Sequence, residues 1–127
     1  MMKVGILGGS FDPFHKGHFG VAKYTQAELN LDLVLLMCSK CSPFKNGITS
    51  TSFTDRLNMV KLYNEDGIKA TDFEQIRFPQ QNIVDTVECL KKYKSLHPDH
   101  IVYYIMGQDS FNKIEFYRDY KWLFDKN

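Results

Sequence analysis

Apolar residues along the chain cluster in four short runs. These runs are Val4–Leu7, Leu33–Cys38, the weaker Ile68–Thr71 and Ile101–Met106. In the three stronger runs apolar positions do not alternate with polar ones, which is typical of strands buried on both faces of a sheet. The pattern therefore predicts four buried strands, of which the first ends at Gly8-Gly9 and the last at Gly107.

Helical spacing of apolar residues fills most of the intervals between these runs. Helices are predicted over His15–Leu29, from a cap at Ser52 or Thr54 to about Tyr63, over Ile83–Leu96, and over the aromatic-rich Phe111–Phe124. Two polar stretches that contain proline are predicted to be loops, Ser39–Ser50 and Asp72–Gln81. Strands that alternate with helices predict an α/β fold, a Rossmann-like parallel sheet with helices on both faces.

Composition narrows the class of protein. The chain has 127 residues, 43% of them hydrophobic and 24% charged, which predicts one soluble domain over residues 1–127. Its net charge of +1 provides no basic field for nucleic acid or for an anionic membrane, and no apolar run reaches membrane-spanning length. Three cysteines and no visible targeting segment predict a reduced, cytoplasmic protein without a disulfide framework.

The loop after the first predicted strand carries the strongest functional signal. It reads Gly8-Gly9-Ser10-Phe11-Asp12-Pro13-Phe14-His15-Lys16-Gly17-His18. Adjacent glycines let the backbone approach a ligand, and the start of the following helix is a natural phosphate site. His15 and His18 share one helix face, where both imidazoles can donate to phosphate oxygens. The string is neither the dinucleotide-binding glycine fingerprint nor a P-loop.

This loop resembles the G-x-F-D-P-x-H-x-G-H signature of the H-x-G-H nucleotidyltransferase superfamily. Later segments resemble nicotinate mononucleotide adenylyltransferase in particular, in matching order and spacing along nearly the whole chain. These segments are Pro43-Phe44-Lys45, Asp55-Arg56-Leu57-Asn58-Met59, Asp72-Phe73-Glu74, Asp85-Thr86 and Gly107-Gln108-Asp109-Ser110. The loops after Leu7, Cys38 and Met106 meet at one edge of a parallel sheet, where such folds bind their ligands.

The resemblance implies a reaction and a set of site residues. The reaction is transfer of AMP from ATP to nicotinate mononucleotide, which releases pyrophosphate and forms deamido-NAD, with Mg²⁺ bound through ATP and not by protein ligands. The implied catalytic residues are His15, His18 and Lys45. The implied ATP-binding residues are Gly8, Gly9, Ser10, Phe11, Gly17, Gly107 and Asp109. The implied mononucleotide-binding residues are Asp12, Arg56, Thr86 and Tyr117.

The sequence also departs from that family. Gln81-Asn82-Ile83 stands where the family usually has Ser-Tyr-Thr, and Tyr117 stands where it has a tryptophan that stacks on the pyridine ring. These changes leave the choice between nicotinate and nicotinamide open. The family's C-terminal Ile-Ser-Ser-Thr-x-x-Arg signature is missing before Asn127, so the domain is expected to be truncated at its C-terminus. Ile48-Thr49-Ser50-Thr51 matches that signature only superficially and lies in the wrong loop.

Other functions stay open from the sequence alone. The chain could be another H-x-G-H adenylyltransferase, with nicotinamide mononucleotide or phosphopantetheine as substrate, although the phosphopantetheine enzymes usually have threonine in place of His15. It could also be a nucleotide-binding module that has lost catalysis. Aromatic residues near Tyr117, Tyr120 and Trp122 are consistent with cover by a missing segment or with a homo-oligomer.

A metal or redox site is the last alternative. The C-x-x-C pair Cys38 and Cys41 could be a redox pair, or it could bind zinc together with His97 and His100. The predicted parallel sheet argues against zinc, because the cysteines follow the second strand and the histidines precede the fourth. The two pairs are therefore expected at opposite edges of the sheet.

Overall fold

The computed structural model of the chain describes residues 1–40 and 51–124. Its centre is a sheet of four parallel strands in the order β3-β2-β1-β4. The strands are β1 (Lys3–Gly9), β2 (Leu33–Cys38), β3 (Ile68–Thr71) and β4 (Ile101–Ile105). All four predicted strands and the α/β class are confirmed.

Helices connect the strands and follow the last of them. They are α1 (Lys16–Leu29), α2 (Phe53–Lys61), α3 (Phe73–Arg77), α4 (Thr86–Leu96) and α5 (Gln108–Asn112), followed by 3₁₀ turns at Ile114–Phe116 and Tyr120–Phe124. The first two predicted helices are confirmed, and Ser52 caps α2 by accepting a hydrogen bond from the Asp55 backbone N–H. The predicted loop over Ser39–Ser50 falls largely outside the described residues.

Three predicted boundaries were wrong. The helix predicted over Ile83–Leu96 begins only at Thr86, because the preceding Asp85 has an extended backbone. The loop predicted over Asp72–Gln81 contains the short α3. The helix predicted over Phe111–Phe124 is broken into short turns, since the backbone is extended at Tyr117 and left-handed at Asp119. Aromatic spacing that looks helical does not keep the backbone helical.

Both faces of the sheet are covered, as the unbroken apolar strands predict. Successive residues of a strand point to opposite faces. Val34, Leu36 and Cys38 accordingly join one apolar cluster, and Leu33, Leu35 and Met37 join the other. The first cluster includes residues of α1 and α2, namely Ala22, Leu57 and Val60. The second includes residues of α4, namely Cys89, Leu90 and Tyr93.

The strand order places a crevice at the end of β1. The chain moves outward from β1 through β2 to β3, and then returns to add β4 on the other side of β1. Open parallel sheets bind ligands at such a switch point, beyond the carboxyl ends of the strands. The loops that follow β1 and β4 therefore face each other across a shared opening. No helix in the described ranges is both long and apolar enough to cross a membrane.

Candidate active site

A cleft of about 540 Å³ opens at this switch point. Ten of the residues singled out from the sequence line it: Gly8, Gly9, Ser10, Phe11, Asp12, His15, His18, Thr86, Gly107 and Tyr117. They come from the loop after β1, the start of α4 and the segment after β4. The fold thus gathers residues that are more than a hundred positions apart in sequence into one concave surface.

Three predicted site residues among those that the structure describes do not line the cleft. Gly17 lies in the first turn of α1, and a Cβ added there would come within 2.9 Å of the His15 ring, so this glycine leaves room for the imidazole. Asp109 lies in the first turn of the five-residue α5. Lys45 lies outside the described residues, and Arg56 is buried behind the cleft.

His15 and His18 form the cap of α1 as well as one wall of the cleft. The Nδ1 atom of His15 accepts a hydrogen bond from the Gly17 backbone N–H at 3.1 Å. The Nδ1 atom of His18 accepts one from the His15 backbone N–H, also at 3.1 Å. A neutral imidazole that accepts through Nδ1 carries its proton on Nε2. Both rings therefore have an Nε2–H donor on the side away from the cap.

The surroundings of His18 favour its neutral form. Its ring stacks on Phe14 at 5.1 Å between centroids and meets the edge of Phe11 at 5.3 Å. The His15 ring centroid lies 3.9 Å away. Burial, and secondarily the charge of His15, lower the pKa of His18 below its ordinary value. Its neutral ring therefore provides an uncharged N–H donor at the wall of the cleft.

The backbone of the first loop is constrained by Phe11. Its φ of 51° lies in the left-handed region, which costs free energy in a residue with a side chain. The ring is buried in the first apolar cluster and meets the edge of Phe14 at 4.9 Å. A Cβ on Gly9 would come within 2.9 Å of this ring, so only glycine fits there. The buried ring holds the loop in its turn.

The structure places Arg56, which was predicted to bind the mononucleotide, outside the lining of the cleft. Its side chain is 1% exposed and does not line the cleft. Its guanidinium donates to four backbone carbonyls at 2.6–3.0 Å, those of Ser10, Ser39, Lys40 and Thr51. A guanidinium has five N–H donors, so most of its hydrogen-bonding capacity is spent on the backbone. Arg56 therefore ties the loop after β1 to the loop after β2, and it supports the cleft from behind.

Glu74 is a cleft residue whose role the sequence did not reveal. It lies on α3, is 4% exposed, and accepts a hydrogen bond from the Lys40 backbone N–H at 2.9 Å. Burial raises its pKa to about 7, although the Lys40 hydrogen bond and the nearby charges of Lys40 and Arg56 oppose this shift. The acidic stretch over residues 72–74 was the available signal, but it did not distinguish Glu74 from Asp72.

Tyr104 is a second residue that sequence reasoning missed. It belongs to an apolar strand, and its side chain lines the cleft, where its hydroxyl oxygen would lie 3.7 Å from a Cβ built on Gly8. Burial raises its pKa well above the ordinary value. Its place in an apolar run concealed the polar atom at the end of its ring.

The alternative of a zinc or redox site finds no support in the described residues. Cys38 is fully buried at the carboxyl end of β2, and burial raises its pKa to about 11, which disfavours a reactive thiolate. His97 and His100 stack on each other before the amino end of β4, at the opposite edge of the sheet. Among residues 1–40 and 51–124, no group of three or more potential ligands is arranged to hold a metal ion. Cys41 lies outside those ranges.

Comparison with known proteins identifies the family of the chain. Residues 6–126 match the model of the cytidylyltransferase-like family. The probable nicotinate-nucleotide adenylyltransferase of Citrifermentans bemidjiense is 35% identical over 126 residues, which are 98% of this chain and 57% of the relative. The enzyme of the same name from Shewanella baltica OS185 is 40% identical over 98% of this chain and 56% of the relative. The chain thus spans little more than half the length of these relatives.

Solved structures support the same fold. The putative nicotinate-nucleotide adenylyltransferase of Vibrio parahaemolyticus superimposes with a TM-score of 0.78 at 23% identity, over 99% of this chain and 70% of that one. The nicotinic acid mononucleotide adenylyltransferase of Plasmodium falciparum, complexed with NaAD, gives 0.78 at 23% identity over 97% and 60%. The resemblance to this group of nucleotidyltransferases is confirmed. The family model matches nearly the whole length of the chain, and the chain therefore belongs to the cytidylyltransferase-like family.

Proposed function

We propose that this chain contributes the nucleotidyl-transfer site of an enzyme that joins the AMP half of ATP to nicotinate mononucleotide. Pyrophosphate leaves and deamido-NAD forms, a step of NAD biosynthesis. The observation that carries the proposal is the pair of Nε2–H donors of His15 and His18 on the cleft wall, at the start of a helix. The relatives' names favour this substrate over others of the family.

The reaction requires positioning more than acid–base chemistry. The attacking group is the phosphate of the mononucleotide, which is already ionised and needs no general base. One of its oxygens forms a bond with the α-phosphorus of ATP, while the bond from that phosphorus to the bridging oxygen of pyrophosphate breaks. Holding two reactants in line contributes roughly 7–11 kcal/mol to such a step. The walls of the cleft supply this alignment.

The histidine pair stabilises the charge that develops on the phosphates. Two N–H donors fixed by the cap of α1 are aimed before the reaction begins, so they lose little free energy in reorganising. The positive end of the helix dipole acts in the same direction. Lys45 is the third proposed catalytic residue, as a cation for the same phosphates.

Magnesium is proposed to accompany ATP and not to occupy a protein site. Mg²⁺ keeps much of its water and binds substrate phosphates readily, so it needs few protein ligands in such a site. When bound, the ion neutralises part of the triphosphate charge. The protein's own contribution is the hydrogen-bond donors of the first loop and of the histidine pair.

The part of the cleft that Thr86 and Tyr117 line is proposed to hold the mononucleotide. Thr86 at the start of α4 offers a hydroxyl, and Tyr117 offers an aromatic face and a phenol. A tyrosine ring can stack on a pyridine ring, as the tryptophan of the resembling family does. Gly107 and Asp109 are proposed to hold the ATP ribose, and Asp12 is proposed to lie between the two substrates.

Pyrophosphate release tests the proposal. The chain is assayed with ATP, Mg²⁺ and nicotinate mononucleotide, and in parallel with nicotinamide mononucleotide and phosphopantetheine. We expect turnover with nicotinate mononucleotide and a fall of about 10²-fold or more in kcat for His18→Ala. His97→Ala, at the opposite edge of the sheet, is the matched control and keeps wild-type kcat. Undiminished turnover in His18→Ala contradicts the catalytic role of the histidine pair, and turnover only with phosphopantetheine contradicts the substrate.

A further inference from the structure

Glu74 is a carboxyl group in the wall of the cleft that has no cation paired with it. Its side chain lines the cleft, and the residue is only 4% exposed. None of the ion pairs formed within residues 1–40 and 51–124 includes it. An unpaired charge is costly to bury, and such a group tends to take up a proton instead. The position of Glu74 therefore favours its neutral form.

The two cations nearest to Glu74 are bound to backbone carbonyls. The ammonium of Lys40 donates to two carbonyls at the end of α3, at 3.0 and 3.4 Å. The guanidinium of Arg56 donates to four others. Their charges oppose the rise in the pKa of Glu74 but do not cancel it, because burial is the larger effect. Neither cation is therefore available to keep the carboxyl ionised.

The other titratable groups around Glu74 do not favour its ionised form either. Cys38 on β2 and Cys89 on α4 are buried thiols, and burial raises the pKa of Cys38 to about 11 and that of Cys89 to about 12. Both are therefore uncharged at neutral pH. Asp12 is a second carboxyl in the lining of the cleft, and its negative charge disfavours another one.

The hydrogen bond from Lys40 decides which oxygen of Glu74 carries the proton. The Oε1 atom accepts the Lys40 backbone N–H at 2.9 Å. A neutral carboxyl has one O–H donor, which then belongs on Oε2. Within the described part of the chain, the buried side-chain oxygen that has no hydrogen-bond partner is Ser39 Oγ, so Oε2 is not enclosed. Lys40 does not line the cleft, and Oε2–H is the donor that Glu74 offers to a ligand.

Glu74 lies on the α4 side of the cleft, as Thr86 does. Its neighbour Phe73 packs against the second apolar cluster, which includes Cys89 of α4. Thr86 and Cys89 are three residues apart on one face of that helix, and both line the cleft. The histidine pair packs on the first apolar cluster, at the other face of the sheet. Glu74 therefore belongs to the part of the cleft that is proposed to hold the mononucleotide.

We propose that Glu74 binds an anionic oxygen of the mononucleotide as a neutral carboxylic acid, through its Oε2–H. This inference rests on the proposed function, which supplies a ligand with two anionic groups, the carboxylate of nicotinate and the phosphate. Hydrogen bonds from a hydroxyl to an anionic oxygen are short and strong. An ionised Glu74 would repel the same oxygen, so binding requires the proton and weakens as the pH rises.

The pH dependence of binding tests the proposal. The Kd for nicotinate mononucleotide is measured by calorimetry at about pH 6 and about pH 8, with wild type and with Glu74→Gln. Glutamine stays neutral, keeps an N–H donor and still accepts the Lys40 hydrogen bond. Because the pKa of Glu74 is about 7, roughly one-tenth of the free wild-type protein carries the proton at the higher pH. We expect the ratio of the wild-type Kd to that of Glu74→Gln to rise about tenfold between the two pH values.

The ratio isolates Glu74, because titration of the ligand and of the cleft histidines affects both proteins alike. Nicotinamide mononucleotide, which has the phosphate but not the carboxylate, identifies the anionic oxygen. A rise for nicotinate mononucleotide alone assigns the carboxylate to Glu74, and a rise for both ligands assigns the phosphate. Glu28→Gln, on the exposed face of α1, is the matched control and follows wild type.

Two results would overturn the inference while the proposed function stands. One is a constant ratio in a protein that binds nicotinate mononucleotide. The other is a ratio that rises for ATP and not for a mononucleotide, which would assign Glu74 to the other substrate. If wild type binds no pyridine mononucleotide at either pH, the inference and the proposed function are both wrong.

Discussion

The Nδ1 atom of His18 accepts the backbone N–H of His15, so the two proposed catalytic side chains also close the first turn of α1. In most helices this cap is made by serine, threonine or acidic residues that have no catalytic role. In α1 the hydrogen bonds that stabilise the helix also fix the tautomer and direction of both rings. Stability and catalysis therefore share the same atoms, but substitutions can separate them.

Replacing His18 by glutamine should preserve the cap but move the N–H donor away from the position that the rigid imidazole gives it. Glutamine at the third helical position reaches back to the capping residue in many proteins, whereas alanine cannot. We expect His18→Ala to lose about 1 kcal/mol in the free energy of unfolding and His18→Gln to lose less than half of that. Both variants lose about 10²-fold in kcat. Urea denaturation measures the change in stability, and pyrophosphate release measures the change in kcat. Wild-type turnover in His18→Gln would show that the imidazole ring is not needed for catalysis.

Gly17 and Gly20 provide a matched pair on α1. A Cβ on Gly17 would lie 2.9 Å from Cε1 and 3.0 Å from Nδ1 of His15, whereas a Cβ on Gly20 would meet nothing within 4 Å. Gly20→Ala should therefore add about 0.5–1 kcal/mol of stability through helix propensity and leave kcat unchanged. Gly17→Ala displaces the imidazole and should lower kcat at least about tenfold. Equal kinetics in the two variants would mean that the position of the His15 ring does not matter.

Arg56→Lys tests the tie between the two loops. Lysine keeps the charge but not the planar fork, so it leaves some of the four carbonyls without their donors. We expect a loss of about 2–4 kcal/mol in the free energy of unfolding, measured by urea denaturation. Arg77→Lys on the surface of α3 is the control, and it should change stability by less than about 0.5 kcal/mol. A comparably small effect of Arg56→Lys would contradict the role assigned to the guanidinium.

The raised pKa of Glu74 predicts that the free energy of unfolding depends on pH. Its pKa is raised from 4.5 to about 7 in the folded chain, so between these values the folded state binds more protons than the unfolded state. The stability linked to this group is therefore fully present below pH 4.5 and is lost as the pH rises through about 7. Glutamine imitates the protonated carboxyl and still accepts the Lys40 hydrogen bond.

The free energy of unfolding of Glu74→Gln relative to wild type should therefore rise between about pH 5 and pH 8, by up to about 3 kcal/mol. Urea denaturation at the two pH values measures this difference. Glu28→Gln, on the exposed face of α1, should show no such change. Parallel pH profiles for wild type and Glu74→Gln would mean that Glu74 is ionised throughout this range.

The strands and the first loop could be predicted because local sequence determines them. An apolar run such as Leu33–Cys38 must be buried on both faces, and the string from Gly8 to His18 combines turn, helix start and paired imidazoles within a few residues. Ten of the thirteen predicted site residues that the structure describes line one cleft, since parallel strands share a carboxyl edge.

Prediction and structure differ where tertiary contacts override local pattern. An arginine on an amphipathic helix is expected at the surface or at an anionic ligand, and only the assembled fold shows that carbonyls of three separate segments surround Arg56. The aromatic segment after β4 has helical spacing, yet Asp119 adopts a φ of 58°, which no periodicity reveals. The hydroxyl of Tyr104 belongs to the site only because β4 lies beside β1.

The guanidinium of Arg56 also links the first loop, which lines the cleft, to α2, which does not. It holds Ser10 in the first loop from a position on α2, a helix that does not line the cleft. A nucleotide that keeps the first loop closed therefore also keeps the acceptors of Arg56 in place, and local opening of α2 becomes less favourable. Slower amide hydrogen exchange in α2 is then a signature of occupancy in a cleft that α2 never meets.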